Sequence, residues 1–159
     1  MEDDLQKEEK RELSLVNFLG QHLFFSCFSE EERIYLANKC EVKALPQNMV
    51  IFKENEIGYS GYIIKKGCVK IYKEGFLGEE QIVQFSAGDV FGEMVLLDAF
   101  PRSASAKTVA ESELIEITSD FYNLLKIEKP AIAVKLMDIF LKLLNMRLRS
   151  TTLKLYGQF

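Results

Sequence analysis

With 159 residues, 48% of them hydrophobic, the chain is long enough for one domain with a real core. A net charge of -4 and a pI near 5.2 argue against a sequence-independent grip on nucleic acid, which needs many lysines and arginines against phosphates. No apolar run approaches a membrane span and the acidic N-terminus lacks a secretory pattern, so a cytoplasmic protein is expected.

In chain order, residues 1–12 are almost all charged, with both signs mixed, and read as a solvated lead, mobile or helical. The remainder, 13–159, reads as a single domain. Leu15, Phe18, Leu19, His22 and Leu23 recur at helical spacing, and Ser29-Glu30-Glu31-Glu32 is a capping box opening a second helix through Ala37. Phe24, Phe25 and Phe28, beside these helices, are expected in the core. Cys27, Cys40 and Cys68 have no metal spacing and read as reduced, buried small hydrophobes; the single histidine, His22, has no partner ligand, so no metal is expected.

After Cys40 the apolar period changes from about 3.6 to 2. Strands are expected near Glu41 to Ala44, Val50 to Lys53, Gly61 to Lys65, Cys68 to Lys73, Gln81 to Phe85, Ala104 to Ala110 and Glu113 to Thr118, with turns at Gly, Asn and Pro between them. Thr118 or Ser119 then caps a helix through Lys126, and Pro130 opens a longer one to about Tyr156, stopped at Gly157. The fold class expected is α+β: an antiparallel, jelly-roll-like β roll (40–118) with short N-terminal helices (13–38), a short phosphate-binding helix, and hinge and long C-terminal helices (119–156).

The chemistry concentrates between Gly88 and Ala106. Gly88-Asp89 signals a turn, Gly92 permits close backbone approach, and Glu93 to Leu97 can form a helical turn whose first amides are free to attract an anion. Pro101 fixes the chain before Arg102, whose planar donors suit a phosphate, while Ser103 and Ala104 leave neighbouring amides open. A carboxylate able to accept from sugar hydroxyls beside a phosphate clamp describes a ligand with both ribose and phosphate.

Phe91-Gly92-Glu93-Met94 followed by Pro101-Arg102-Ser103-Ala104-Ser105 resembles the phosphate-binding cassette of the cyclic-nucleotide-binding domain of catabolite activator proteins, protein kinase A regulatory subunits and gated channels. Gly61 to Val69 resembles that family's second signature, and the likeness runs from about Leu19 to Leu155. Asn48 and Asn55 stand where the family usually has glycine, and asparagine tolerates the left-handed backbone such turns need. The resemblance implies that Glu93 takes the ribose 2'-hydroxyl, that Arg102 takes the cyclic phosphate, and that amides near Met94, Val95 and Ala104 complete the cradle. Val69 and Ile71 offer a wall on one strand, and Ile71 and Ile82 are the base contacts carried over from the family. The base cap on the long helix is Arg147 by an ungapped count, or Thr151 if one extra turn is allowed.

Ile132, Leu136, Ile139, Phe140, Leu143, Leu144, Leu148 and Leu155 keep near-heptad spacing, and the similar helix of catabolite activator proteins makes a dimer, so a parallel homodimer is expected. Lys142, Arg147, Arg149 and Lys154 answer the helix dipole rather than forming a nucleic-acid patch. The chain stops at Phe159 where those activators continue into a helix-turn-helix, so a stand-alone receptor signalling to a protein partner, without DNA or membrane, is expected. It is read as no enzyme and as needing no cofactor, because hydrolysis would want a metal cluster or an acid-base pair at the phosphate. Cyclic AMP is favoured over cyclic GMP through Thr151. The alternative is a regulatory module of the same fold that is ligand-independent or binds a cyclic dinucleotide.

Overall fold

The computed structural model describes residues 2–98 and 100–156, apart from the side chains of residues 2–5 and 155. Two helices, α1 (Glu2–Gln21) and α2 (Glu30–Lys39), precede eight strands and are followed by α3 (Ser119–Glu128) and α4 (Pro130–Tyr156). The strands are β1 (Glu41–Leu45), β2 (Val50–Phe52), β3 (Ser60–Lys66), β4 (Cys68–Gly75), β5 (Gly78–Ser86), β6 (Val90–Phe91), β7 (Ser105–Thr108) and β8 (Ser112–Thr118). They form two antiparallel four-stranded sheets, ordered β1-β8-β3-β6 and β2-β7-β4-β5. This is the expected roll flanked by helices.

Alternation sorts the core into two layers. Tyr62, Ile64 and Leu114 of β3 and β8 turn inward to meet Val69, Phe91 and Ala106 between the sheets. Their neighbours Ile63, Ile115 and Ile117 turn outward and pack under Leu15, Leu19, Phe25, Phe28, Leu125, Leu136 and Phe140 of the helical segments. The first sheet is therefore covered on both faces, which is why β3 is buried over five successive residues. Each large apolar side chain so buried contributes roughly 1.5–3 kcal/mol, so the helices are pinned to the roll by packing rather than by propensity.

The caps form where local sequence puts them. Ser29 and Glu32 make a reciprocal capping box, and Thr118 accepts from the amide of Phe121 at the start of α3. Asn48 and Asn55 have φ of 63° and 67°, the left-handed turns expected of them.

Several expectations change. The first helix begins at Glu2, so the charged lead is helical from there; its Glu, Lys, Arg and Gln are good helix formers that need no core. That helix ends at Gln21 and a turn carries the chain through Phe28. The two-residue strand β6 was not foreseen. Cys27 is exposed rather than buried, Cys68 is half-buried, and only Cys40 is a core thiol, its pKa pushed up to about 12 by burial.

The apolar stripe expected to meet a second copy is largely used at home. Ile132, Leu136, Ile139, Phe140 and Leu143 are buried against the chain's own roll. What α4 leaves outside is Val134 (60% exposed), Leu141 (48%) and Leu148 (66%), at seven-residue spacing, and of these only Leu148 was in the expected stripe. The side chain of Leu155 and the helix stop at Gly157 lie outside the described residues.

Candidate functional site

The segment between β5 and β7 folds around one arginine. Gly92, at φ 68°, turns the chain into a 3-10 turn at Glu93–Leu96. A side chain at Gly92 would also stand 2.8 Å from the Arg102 guanidinium, so both its backbone freedom and its lack of a Cβ are used. Arg102 itself is fixed through its backbone by the β2–β3 loop: its N–H donates to the Glu56 carbonyl at 2.8 Å and its carbonyl accepts from Asn55 N–H at 2.9 Å.

Its side chain is 6% exposed and enclosed by carbonyls and a ring. Nη1 donates to the Gly92 carbonyl at 2.9 Å, Nη2 donates to the Ser60 carbonyl at 2.6 Å, and the guanidinium lies 3.9 Å from the Phe52 ring centroid. Nε is buried without a partner among the described residues. Burial lowers the pKa, with Tyr62, Glu56 and Glu93 opposing it, but a guanidinium stays charged. Neutral acceptors orient this cation without cancelling it, and a withdrawn, uncompensated charge favours an anion.

Beside it lies a cavity of about 170 Å³. Gly92, Glu93, Met94, Val95, Arg102, Ser103 and Ala104 all line it, together with Ile71 and Arg147. Glu93 is 4% exposed, at one end of the 3-10 turn. Arg147 reaches it from α4: Nη1 stands 3.3 Å from Glu93 Oε1, Nη2 donates to the Val90 carbonyl, and the guanidinium covers the Phe85 ring at 4.2 Å. Burial lowers the Arg147 pKa too, against the fields of Glu93 and Asp89.

Thr151 is not in the cavity. It lies exposed one turn farther along α4, and its hydroxyl donates to the Arg147 carbonyl at 3.0 Å. Ile82 does not line the cavity either. Ile71 pairs with Val83 and Tyr72 with Gln81, so Ile82 is the extra residue of a β-bulge and is 57% exposed, while Val83 and Phe85 supply the wall. Phe52, Phe91, Asp98, Phe100 and Pro101 complete the lining, and none of them was named as a ligand contact from the sequence. Strand alternation marked Phe91 and Phe52 as apolar, but their facing the cavity depends on which strands adjoin. The bulge has no local signature.

The floor of the site is tied to the helices. The Ser119 hydroxyl, at the start of α3, lies 3.1 Å from the Tyr59 carbonyl and 3.3 Å from the Val95 carbonyl, and its one proton is shared between them. Leu96, on the turn, is buried with Tyr122 and Leu125 of α3, with Phe121 packed against the same cluster. Among the described residues, no group of three or more His, Cys, Asp or Glu side chains could hold a metal ion, and no helix is long and apolar enough to cross a membrane.

Comparison with known proteins fits this geometry. A family profile described as "Cyclic nucleotide-binding domain" matches residues 42–128, from β1 to the end of α3. The chain is 32% identical over 137 residues to the cyclic AMP receptor protein of Thermus thermophilus, covering 86% of this chain and 61% of that one. It is 34% identical over 89 residues to a cAMP-dependent protein kinase regulatory subunit of Hypocrea atroviridis, covering 56% of this chain and 18% of that one. It thus spans less than two thirds of the length of either relative. Among solved structures, a cyclic nucleotide-binding domain from Methylobacillus flagellatus superposes with a TM-score of 0.81 at 25% identity, over 94% of this chain and 85% of that one. With the buried arginine, the paired glutamate and a profile match across more than half its length, the chain belongs to the cyclic nucleotide-binding domain family.

Proposed function

We propose that this chain is a regulatory receptor for a cyclic mononucleotide. The observation that carries the reading is Arg102, a buried cation oriented by two backbone carbonyls and left without a carboxylate partner among the described residues, opening onto a cavity it shares with Glu93. An exocyclic phosphate oxygen would compensate that charge, and Glu93 would accept from the ribose 2'-hydroxyl. Ile71, Val83 and Phe85 supply an apolar wall for the base, and Arg147 is the cap that the geometry favours over Thr151. Cyclic AMP stands ahead of cyclic GMP. Support for that order now comes from the relatives' names, which specify cyclic AMP, since Thr151 lies outside the cavity.

Occupancy would pass to the helices through Leu96 and Ser119, which join the 3-10 turn to α3, and through Arg147, which joins the cavity to α4. A ligand shifts such an equilibrium by its difference in affinity between the two states, and one that takes Glu93 from Arg147 changes what holds α4 down. The output is a protein contact rather than catalysis. The exposed line Val134, Leu141 and Leu148, flanked by half-buried Met137 and Leu144, supports a parallel homodimer through α4.

Calorimetric titration against cyclic AMP, cyclic GMP and cyclic di-GMP tests the reading. Binding of either mononucleotide, one per chain, is expected, and no heat from either would overturn it. Light scattering of the parent and of Leu141→Glu should give a dimer and a monomer; a monomeric parent at high concentration would remove the dimer alone.

A further inference from the structure

Behind the arginine lies a carboxylate that the nucleotide itself would never touch. Glu116, on β8, has a side chain 10% exposed, and two donors reach it. Lys43 Nζ stands 2.6 Å away and Tyr62 Oη donates at 3.2 Å. Burial pushes the Glu116 pKa up, and its polar neighbours, Lys43 first, more than reverse this, holding it below the usual carboxylate value. Withdrawing a carboxylate from water is costly, and an apolar side chain in its place would often serve stability as well or better.

Tyr62 and its near neighbour Ser60 on β3 both bear on Arg102. The Ser60 carbonyl accepts from Arg102 Nη2 in a buried bond of 2.6 Å. The Tyr62 ring stacks on Phe52, with centroids 6.3 Å apart, and Phe52 in turn lies under the guanidinium. The other donor, Lys43, is 38% exposed and closes the network on the solvent side. Strand pairing alone sets the backbone of Ser60 opposite Thr118 and Tyr62 opposite Glu116. The carboxylate adds a side-chain link that holds the Tyr62 ring, and through it the Phe52 ring under the guanidinium.

We propose that Glu116 is a positioning residue for the anion site, fixing the Tyr62 ring, and through it Phe52, so that the Arg102 guanidinium is aimed before any ligand arrives. The inference rests on reading Arg102 as the phosphate partner, and it identifies what keeps that side chain in place. An arginine aimed in advance loses less freedom on binding, so weakening its support lowers affinity without removing any ligand contact.

The test compares the parent with Glu116→Gln, Tyr62→Phe and the double variant. Readouts are cyclic AMP affinity, melting temperature and, without ligand, the nitrogen-15 resonance of Arg102 Nε. Glu116→Gln is expected to weaken binding about tenfold, the low end of what losing a supporting hydrogen bond costs at a metal ligand. Tyr62→Phe should do nearly the same, and the double variant should lose no more than the worse single, because both act along one chain of contacts. The Arg102 Nε resonance should move in each variant before ligand is added. Parent affinity in Glu116→Gln, an unmoved resonance, or additive losses would overturn the proposal. A parent that binds no cyclic nucleotide, but whose Arg102 resonance moves on Glu116→Gln, would uphold the positioning and overturn the ligand reading instead. If Glu116→Gln does not fold, Tyr62→Phe, which removes the 3.2 Å bond and keeps the ring, decides alone by affinity and resonance.

Discussion

The two arginines of the cavity are built alike and used differently. Each lies over a phenylalanine, Arg102 at 3.9 Å from the Phe52 centroid and Arg147 at 4.2 Å from that of Phe85. Arg102 hangs from a loop locked at both its N–H and its carbonyl, and its donors meet neutral carbonyls. Arg147 projects from a long helix, keeps a 27% exposed side chain, and has a carboxylate partner in Glu93. The first arrangement holds a charge in wait; the second holds a charge already answered. On the function proposed above, a ligand anion would gain the most from the first and compete with the second, so that one end of the cavity would grip and the other report.

Breaking the gripping end should have the largest effect. Arg102→Leu removes the buried cation, and loss of charge-assisted bonds at about 1.5–3 kcal/mol each predicts about a hundredfold or greater fall in cyclic AMP affinity by calorimetry. Parent-like affinity would mean that the anion site lies elsewhere. Glu93→Ala should come next, at about ten- to hundredfold, because it deletes the ribose acceptor and also leaves Arg147 unpaired.

Arg147→Ala sharpens the contrast. It should cost affinity only several-fold, since Arg147 is not placed on the phosphate, yet it should reduce the ligand-induced change in hydrogen exchange over residues 119–156. An affinity loss as large as that of Arg102→Leu, with the exchange response intact, would reverse the assignment of the two ends. Leu96→Ala should also blunt that response. Because this buried leucine also stabilises the core by about 2–5 kcal/mol relative to alanine, melting temperatures must accompany the exchange data.

The smallest effect concerns acid. Glu116 has a folded pKa below its ordinary value of 4.5, and its partner Lys43 is raised, with the Glu116 bond as the main cause. A depressed carboxylate contributes stability that is present above the unfolded value and is lost as pH falls through the folded one. Melting temperature should therefore decline between about pH 5 and pH 3, and Glu116→Gln should flatten part of that decline. Parallel curves for the two proteins would show that the bonded carboxylate contributes nothing to acid stability.

Much of the site was legible because its chemistry is local. Gly92, Glu93, Pro101 and Arg102 sit within eleven residues, and a turn, a helical start and a fixed φ act at that range. The capping box at Ser29 and the left-handed turns at Asn48 and Asn55 were legible on the same grounds. The base wall was read less well. Ile82 was carried over from the family resemblance, and a bulge opposite Ile71 and Tyr72 leaves it outside the cavity that Val83 and Phe85 line instead. The insertion of one residue is set by how two strands register, and no residue type announces it.

What the chain determined by itself was the menu: which segments are helix or strand, which turns need a left-handed backbone, and which residues can meet a phosphate and a ribose. Tertiary structure decided which partner each took. It gave Glu93 to Arg147, aimed Arg102 with carbonyls from Gly92 and Ser60, and left Thr151 outside. It also laid Ile132, Leu136 and Phe140 on the chain's own core and turned Val134, Leu141 and Leu148 to the exterior. Periodicity shows that a helix has an apolar face, but what covers that face is set by contacts between segments far apart in the chain, where burial and long-range pairing outweigh any local preference.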